Sequence, residues 1–391
     1  MAESLATLEH EVHIVTYPFG EELPVRHVKI WRAWGWRKKP RIYSGPSVEK
    51  LLLDLLLLIK LCRVITKENI EIIHAHNYEG ALIGFIAKLM TGRPLLYNAV
   101  NLMSDELPMY EFLRPAFLAR RVAQFLDFLI TRVPDGFIAI TEDLRAALVN
   151  RGISPARIAL VPCGVNLAMF DNPEPEPLRQ RYAIGDCPLV IYTGINSPIQ
   201  RLDYLLRAFQ LVLAKMPTTR LMILSPLYND NSLAKNRILA EELGLGSNVL
   251  WVEGHELMDL PNYLAMASVA VISRPEMPGH PIKLLNYMAA SKPIVCSAGA
   301  AKGVRHLHDA FLTRDHDYHH LAEGIITLLG DRKLAERLGK NARETVVRDF
   351  DRVTLCRPVA EMYQSLARDR FSTIVAEIKA EPKIPTSFEP E

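Results

Sequence analysis

The sequence predicts an α/β protein with two parallel-sheet domains, and three observations lead there. Strand-like apolar runs alternate with helical ones along most of the chain, the mark of parallel sheets with crossover helices. The proline-rich, charged stretch Asp171-Asn172-Pro173-Glu174-Pro175-Glu176-Pro177 splits that alternation into two series and suits an interdomain linker. The length of 391 residues is long for one core and natural for two domains.

In the first series we expect strands over 12–16, 70–74, 94–98, 136–140 and 158–161. They are separated by helices over 47–66, 81–90, 113–131 and 143–151, with Ser47, Thr141 and Ser154 placed as N-caps. The second series has strands over 189–193, 220–225 and 249–252, with helices over 202–215, 232–243 and 257–266. A strand–loop–helix–strand unit over 271–297 follows, then helices over 318–329, 332–347 and 351–368. Residues after Phe371 are charged and proline-bearing, which reads as a mobile tail.

Lysine plus arginine number 46 against 44 for aspartate plus glutamate, so there is no global charge signal for nucleic acid. The five cysteines are scattered without metal-ligand spacing, which argues for a reducing compartment and against a zinc site. The richest apolar run, residues 51–61, is interrupted by Asp54 and Lys60 and reads as a buried helix rather than a membrane span. The first residues do not read as a signal peptide.

The unit over 271–297 carries the chemistry. Its loop Glu276-Met277-Pro278-Gly279-His280-Pro281 leads into a helix at Ile282, where unpaired N–H groups and the helix dipole favour an anion. Pro281 suits the helix start, and Lys283 in the first turn is unfavourable for the dipole unless an anion sits there. An ordinary crossover of a parallel sheet fits the same pattern. His74 and His76 fall at a strand end, where sites of open α/β sheets collect.

The run Tyr287-Met288-Ala289-Ala290-Ser291-Lys292-Pro293-Ile294-Val295 resembles the "YMAxGKPVV" strand in the donor-site motif of the retaining glycosyltransferases of family four, also called glycosyl transferases group one. Val161-Pro162-Cys163-Gly164-Val165-Asn166 with Phe170 is similar to that family's "vPNGVD…F" turn. The resemblance spans nearly the whole chain. It implies a GT-B architecture of two facing Rossmann-like domains: an acceptor-side domain over 1–172 and a nucleotide-sugar domain over 178–350. A helix over 351–370 would return to the first domain, and 371–391 would be the tail. It further implies transfer of a hexose from a nucleotide diphosphate sugar, as co-substrate, to a glycan or lipid-linked acceptor with retention. No cofactor and no metal are expected. Donor-binding residues would be Gly279, His280, Pro281 and Ile282 as backbone approach, Lys283 on phosphate, Asn286 on ribose and Arg201 on the diphosphate.

This sequence departs from the family pattern at several places. Asn286 stands where a glutamate usually binds ribose; an amide keeps the hydrogen bond and loses the charge. Val100 replaces a histidine that contacts the donor sugar, so His76 is the substitute contact, and with Glu276 it forms the candidate catalytic pair. Gln200 stands near a diphosphate-binding lysine, followed by Arg201. The family's first strand and glycine-rich loop have no counterpart, because Leu8-Glu9-His10-Glu11-Val12 matches the end of the first helix and the next strand. The first domain is therefore expected to lack its first strand.

On the acceptor side, Asn101, Asp105 and Glu106 follow the Val100 strand end. The stretch holding Trp31, Trp34, Trp36, Arg37, Lys38 and Lys39 mixes tryptophans with cations, the composition of a peripheral membrane contact. Tryptophans packed on the domain edge under cation–π pairs fit equally. The expected location is cytoplasmic, peripheral on the inner face of the membrane, with no nucleic-acid partner. Two other functions stay open: a weakly active or inactive homologue acting as a binding subunit, and a nucleotide-sugar epimerase of the same fold.

Overall fold

The computed structural model describes residues 1–20, 25–35, 48–100, 102–106, 116–225, 231–254, 257–275 and 281–380. The chain forms two compact units. Unit 1 is Met1–Pro162 with the segment from Val353 onward, and unit 2 is Cys163–Arg352.

Unit 1 opens with α1 (Ala2–Thr7), β1 (Val12–Thr16), β2 (Val28–Arg32), α2 (Val48–Lys67), β3 (Ile73–His76) and α3 (Asn77–Thr91). It continues with β4 (Leu95–Ala99), α4 (Met103–Glu106), α5 (Ala116–Ile130), β5 (Gly136–Ala139), α6 (Glu142–Asn150) and β6 (Ile158–Leu160). Strands β3-β4-β5-β6 form one parallel sheet, and β1 pairs with β2, also in parallel, as a separate ribbon. The continuous apolar strands Leu95–Ala99 and Gly136–Ala139 are buried throughout, as a sheet covered on both faces requires. Thr141 caps α6 by accepting from the Leu144 amide at 3.2 Å.

Among the described residues, no strand lies between β1 and β3. A cavity of about 680 Å³ separates them, lined by β1, by β3, by Leu57, Leu61 and Ile65 of α2, by Leu5 of α1 and by Met1 ahead of it. The outward backbone edge of each strand therefore faces a void instead of a ladder.

Unit 2 contains α7 (Glu176–Arg181), β7 (Leu189–Thr193), α8 (Leu202–Lys215), β8 (Arg220–Ser225), α9 (Asn231–Glu242), β9 (Val249–Glu253) and α10 (Leu260–Met266). Then come β10 (Val269–Ile272), α11 (Ile282–Ala289), β11 (Ile294–Ser297), β12 (Phe311–Thr313), α12 (Tyr318–Gly330) and α13 (Arg332–Asp349). Its parallel sheet has the order β12-β11-β10-β7-β8-β9. The chain thus winds one way from β7 and the other way from β10, so the topological switch point lies between those two strands.

The structure corrects three expectations. The unit boundary falls at Pro162, ahead of the proline-rich stretch: Val165, Phe170 and Leu178 pack into the unit 2 core, and Arg343 binds Asp171 at 2.8 Å. The tail expected from Phe371 continues as helix, since α14 (Arg352–Ala380) runs past it. The helix around residues 51–61 is not simply buried, because Leu51 is 70% and Leu55 52% exposed. The expected return of the last helix to the first domain is present: Cys356, Val359 and Leu366 share a cluster with Leu5, Leu96 and Ile138.

Candidate functional site

The carboxyl ends of β7, β8, β10 and β11 meet around the switch point of unit 2, and the residues there are polar but enclosed. Gly194 follows β7 with φ of +129°, and a Cβ on it would lie 2.8 Å from the Lys283 ammonium nitrogen. Glycine is thus required both by the backbone and by the close approach of that lysine. Lys283, in the first turn of α11, donates to the Tyr192 hydroxyl and to Gln200 Oε1, both at 2.9 Å, and its Nζ sits 4.0 Å from the centre of the Tyr192 ring. Burial, helped by the nearby Arg274 charge, lowers its pKa from 10.5 to about 7.

Arg274, two residues beyond β10, brings a second cation. Among the described residues, its buried Nε and Nη2 have no hydrogen-bond partner. Burial also lowers its pKa. Among the described residues, neither Arg274 nor Lys283 is paired with a carboxylate. Two enclosed like charges cost several kcal/mol each unless an anion joins them. The neighbouring groups stay neutral near pH 7, because burial raises the Tyr192 and Tyr287 hydroxyls and pushes the Cys296 thiol up to about 12. The frame around the cations is tightly tied. Tyr287 Oη accepts from the Thr193 amide at 2.8 Å, Ser273 donates to the Gln200 carbonyl at 2.9 Å, and the buried Asn196 donates to Ser225 at 2.9 Å.

Of the donor-side residues expected from sequence, Pro281, Ile282, Lys283 and Asn286 lie together at the start of α11; Ile282 is exposed and Asn286 half-buried. Glu276, Gly279 and His280 lie outside the described residues. Arg201, expected on the diphosphate, is ion-paired in this structure. Its guanidinium is held bidentately by Asp203 at 2.9 Å on both arms and stacks 3.5 Å from the Tyr204 ring centre, so its charge is already matched. Arg274 escaped the sequence reading, although its place just past a parallel strand was the available signal.

In unit 1, His76 is exposed at the end of β3, with Nδ1 3.1 Å from the Asn98 amide nitrogen, and it stacks on His74 at 4.6 Å. His74 is half-buried and hydrogen-bonded to Tyr363 of α14 at 2.6 Å, and desolvation of its ring holds its pKa well below the ordinary value. Asp105 and Glu106 fall in α4, whose first amides are capped by buried Asp127 at 2.9 and 3.1 Å. The side chains of Asp105 and Glu106, and all of Asn101, are outside the described residues. Trp31 follows the packed alternative: it donates to His13 at 3.0 Å and lies under Lys60 and Lys67. Trp34 is 52% exposed beneath Arg63. Trp36, Arg37, Lys38 and Lys39 lie outside the described residues. No described helix is long and apolar enough to cross a membrane.

Comparison with known proteins agrees with this arrangement. Residues 1–169 match the sequence profile described as Glycosyltransferase Family 4, and residues 176–345 match Glycosyl transferases group 1. The chain is 25% identical over 275 residues to D-inositol 3-phosphate glycosyltransferase of Thermobispora bispora, covering 67% of this chain and 63% of that protein. It thus spans somewhat under two thirds of that relative's length. It is 22% identical over 379 residues to the capsular polysaccharide biosynthesis glycosyltransferase CapM of Staphylococcus aureus, covering 94% and 93% of the two chains. Among solved structures, Anabaena Alr3699/HepE in complex with UDP and glucose superposes with a TM-score of 0.69 at 20% identity, over 87% of each chain, which speaks to the fold. Taken with two parallel-sheet units, these matches show that the chain belongs to the glycosyltransferases of family 4, glycosyl transferases group 1.

Proposed function

We propose that this glycosyltransferase moves a hexose from a nucleotide diphosphate sugar to an envelope glycan or lipid-linked acceptor, with retention of configuration, and that unit 2 holds the donor. The observation that carries the reading is the enclosed positive charge, uncompensated among the described residues, at the switch point of a parallel sheet, beside a glycine that lets a ligand's phosphates approach. In the transfer, the bond from the sugar's anomeric carbon to the diphosphate breaks and a bond to the acceptor hydroxyl forms. The hydroxyl proton passes to the leaving phosphate, and the cations stabilise the charge that develops there. Asn286 serves the ribose, and His76 the donor sugar in place of the imidazole absent at Val100.

The first test is a thermal-shift panel with UDP, GDP and ADP, in which ligand at a hundred times its dissociation constant adds about 2.7 kcal/mol of stability. Stabilisation by one nucleotide supports the reading. A cooperatively melting protein that responds to none of the three overturns it. Turnover then separates the rivals: an epimerase converts donor without acceptor, and a binding subunit leaves it unchanged. Val100, 37% exposed with neither donor nor acceptor, is the feature that favours the binding subunit.

We further propose a cytoplasmic enzyme that meets the inner face of the membrane through unit 1. In place of the packed Trp31, the support comes from exposed apolar side chains on neighbouring helices: Leu51 and Leu55 of α2, Leu89 and Met90 of α3, and Phe117, Phe125 and Phe128 of α5. Phe125→Ser with Phe128→Ser is expected to reduce co-sedimentation with vesicles containing anionic lipid. Unchanged binding would exclude this surface.

A further inference from the structure

Three cations near the switch point of unit 2 divide, among the described residues, into one that is already matched and two that are not, and the division runs against the order of the chain. The loop after β7 offers Arg201, but both arms of its guanidinium are taken by Asp203 and its face lies on Tyr204. Gln200, next to it, is neutral, and its Oε1 accepts from Lys283. Across the switch point and among the described residues, Arg274 leaves β10 with two buried nitrogens unpartnered, and Lys283 enters α11 held by the neutral oxygens of Tyr192 and Gln200. Unpaired buried donors are rare in folded proteins, and a charged one is rarer still. The Nε–Nη2 edge of a guanidinium pairs with two oxygens of one phosphate once the atoms covering it move aside, while a lysine supplies a point charge beside it.

We propose that Arg274 and Lys283 form a two-cation clamp for the donor's diphosphate, so that the charge comes from the β10–α11 side of the switch point and Arg201 does not touch the ligand. This deepens the reading of unit 2 as the donor-binding unit and rests on it. Arg274 Nε and Nη2 donate to oxygens of one phosphate, and Lys283 turns from Tyr192 and Gln200 toward the other. Gly194 is the residue whose lack of a Cβ leaves room for that movement. Arg201 instead fixes the start of α8, where it holds the left-handed conformation at φ of 52°.

The test is titration calorimetry of the full chain with inorganic diphosphate and with UDP, GDP and ADP. Arg274→Gln is expected to weaken both diphosphate and the preferred nucleotide by roughly 10- to 100-fold, the usual size for charge-assisted hydrogen bonds. Arg274→Lys is expected to fall between, since it keeps the charge and loses the fork, and it carries the test if Arg274→Gln does not fold. Arg201→Gln is expected to leave both affinities within about threefold, the range of an exposed, matched ion pair. Loss of binding in Arg201→Gln with retention in both Arg274 variants overturns the clamp and leaves the donor-binding reading standing. Binding of diphosphate without any nucleotide keeps the clamp and overturns that reading. A wild-type chain that binds neither refutes both.

Discussion

Replacing Lys283 by methionine is expected to stabilise the ligand-free protein at pH 6 while removing its response to nucleotide. In the unfolded chain the lysine titrates near 10.5, whereas in the folded one burial and Arg274 bring it to about 7. At about 1.4 kcal/mol per pH unit, that difference corresponds to a cost of about 5 kcal/mol for keeping the buried ammonium charged. Below pH 7 both states hold the proton and the whole cost stands. Between pH 7 and 10.5 the folded state releases it while the unfolded state keeps it, so wild-type stability rises with pH; above 10.5 the cost is gone. Methionine removes the charge at similar volume but leaves Tyr192 and Gln200 without their donor, a loss of about 1–3 kcal/mol. The net expectation is that Lys283→Met is more stable than wild type by about 2–4 kcal/mol at pH 6, with the difference crossing zero between about pH 8 and 10. The hydroxyls of Tyr192 and Tyr287 and the Cys296 thiol are all raised by burial, so none of these three titrates across the lower part of this window. Urea denaturation at pH 6 and pH 10, with and without nucleotide, measures all of this. Equal destabilisation of the variant at both pH values would refute the reasoning, because a merely structural lysine has no reason to change sign.

Other consequences of the structure can be measured independently. Gly339→Ala should cost about 1–3 kcal/mol or more in chemical denaturation, since its Cβ would fall 2.3 Å from the Ser291 carbonyl oxygen where α13 crosses the turn after α11. Gly330→Ala, which meets nothing within 4 Å, should stay within about 1 kcal/mol of wild type. Gly194→Ala should both destabilise unit 2, through its φ of +129°, and weaken nucleotide binding by crowding Lys283; full nucleotide affinity in a folded variant would count against the site. Amide hydrogen exchange should be faster in β1 and β3 than in β4 and β5, because each of the former borders the cavity on one edge and each of the latter is paired on both.

What the sequence revealed and what it hid differ by the kind of physics involved. Alternating apolar runs located the strands of both sheets, because burial on both faces leaves a continuous apolar signature that needs no neighbour to interpret. Lys283 was legible for a local reason: a cation in the first turn of a helix is wrong for the dipole wherever the rest of the chain goes. The boundary at Pro162 was not legible, since the prolines of residues 173–177 mark an irregular turn but do not say which core Phe170 and Leu178 enter. The exposed faces of α2 and α5 were hidden for the opposite reason: leucine and phenylalanine at helical spacing look alike whether or not another element covers them.

The two arginines show where local reading gives out. Arg201 stands next to the expected phosphate-binding position, but whether it is free for a ligand depends on Asp203, two residues on, and on whether that carboxylate turns back. Arg274 carried no motif, and its significance comes from three dimensions: among the described residues no carboxylate pairs with it, while Lys283 of the next helix shares its field. A stable fold does not ordinarily enclose two cations side by side without compensation. Such a cost is tolerated where a ligand relieves it, and that is the ground on which the donor is proposed to bind here.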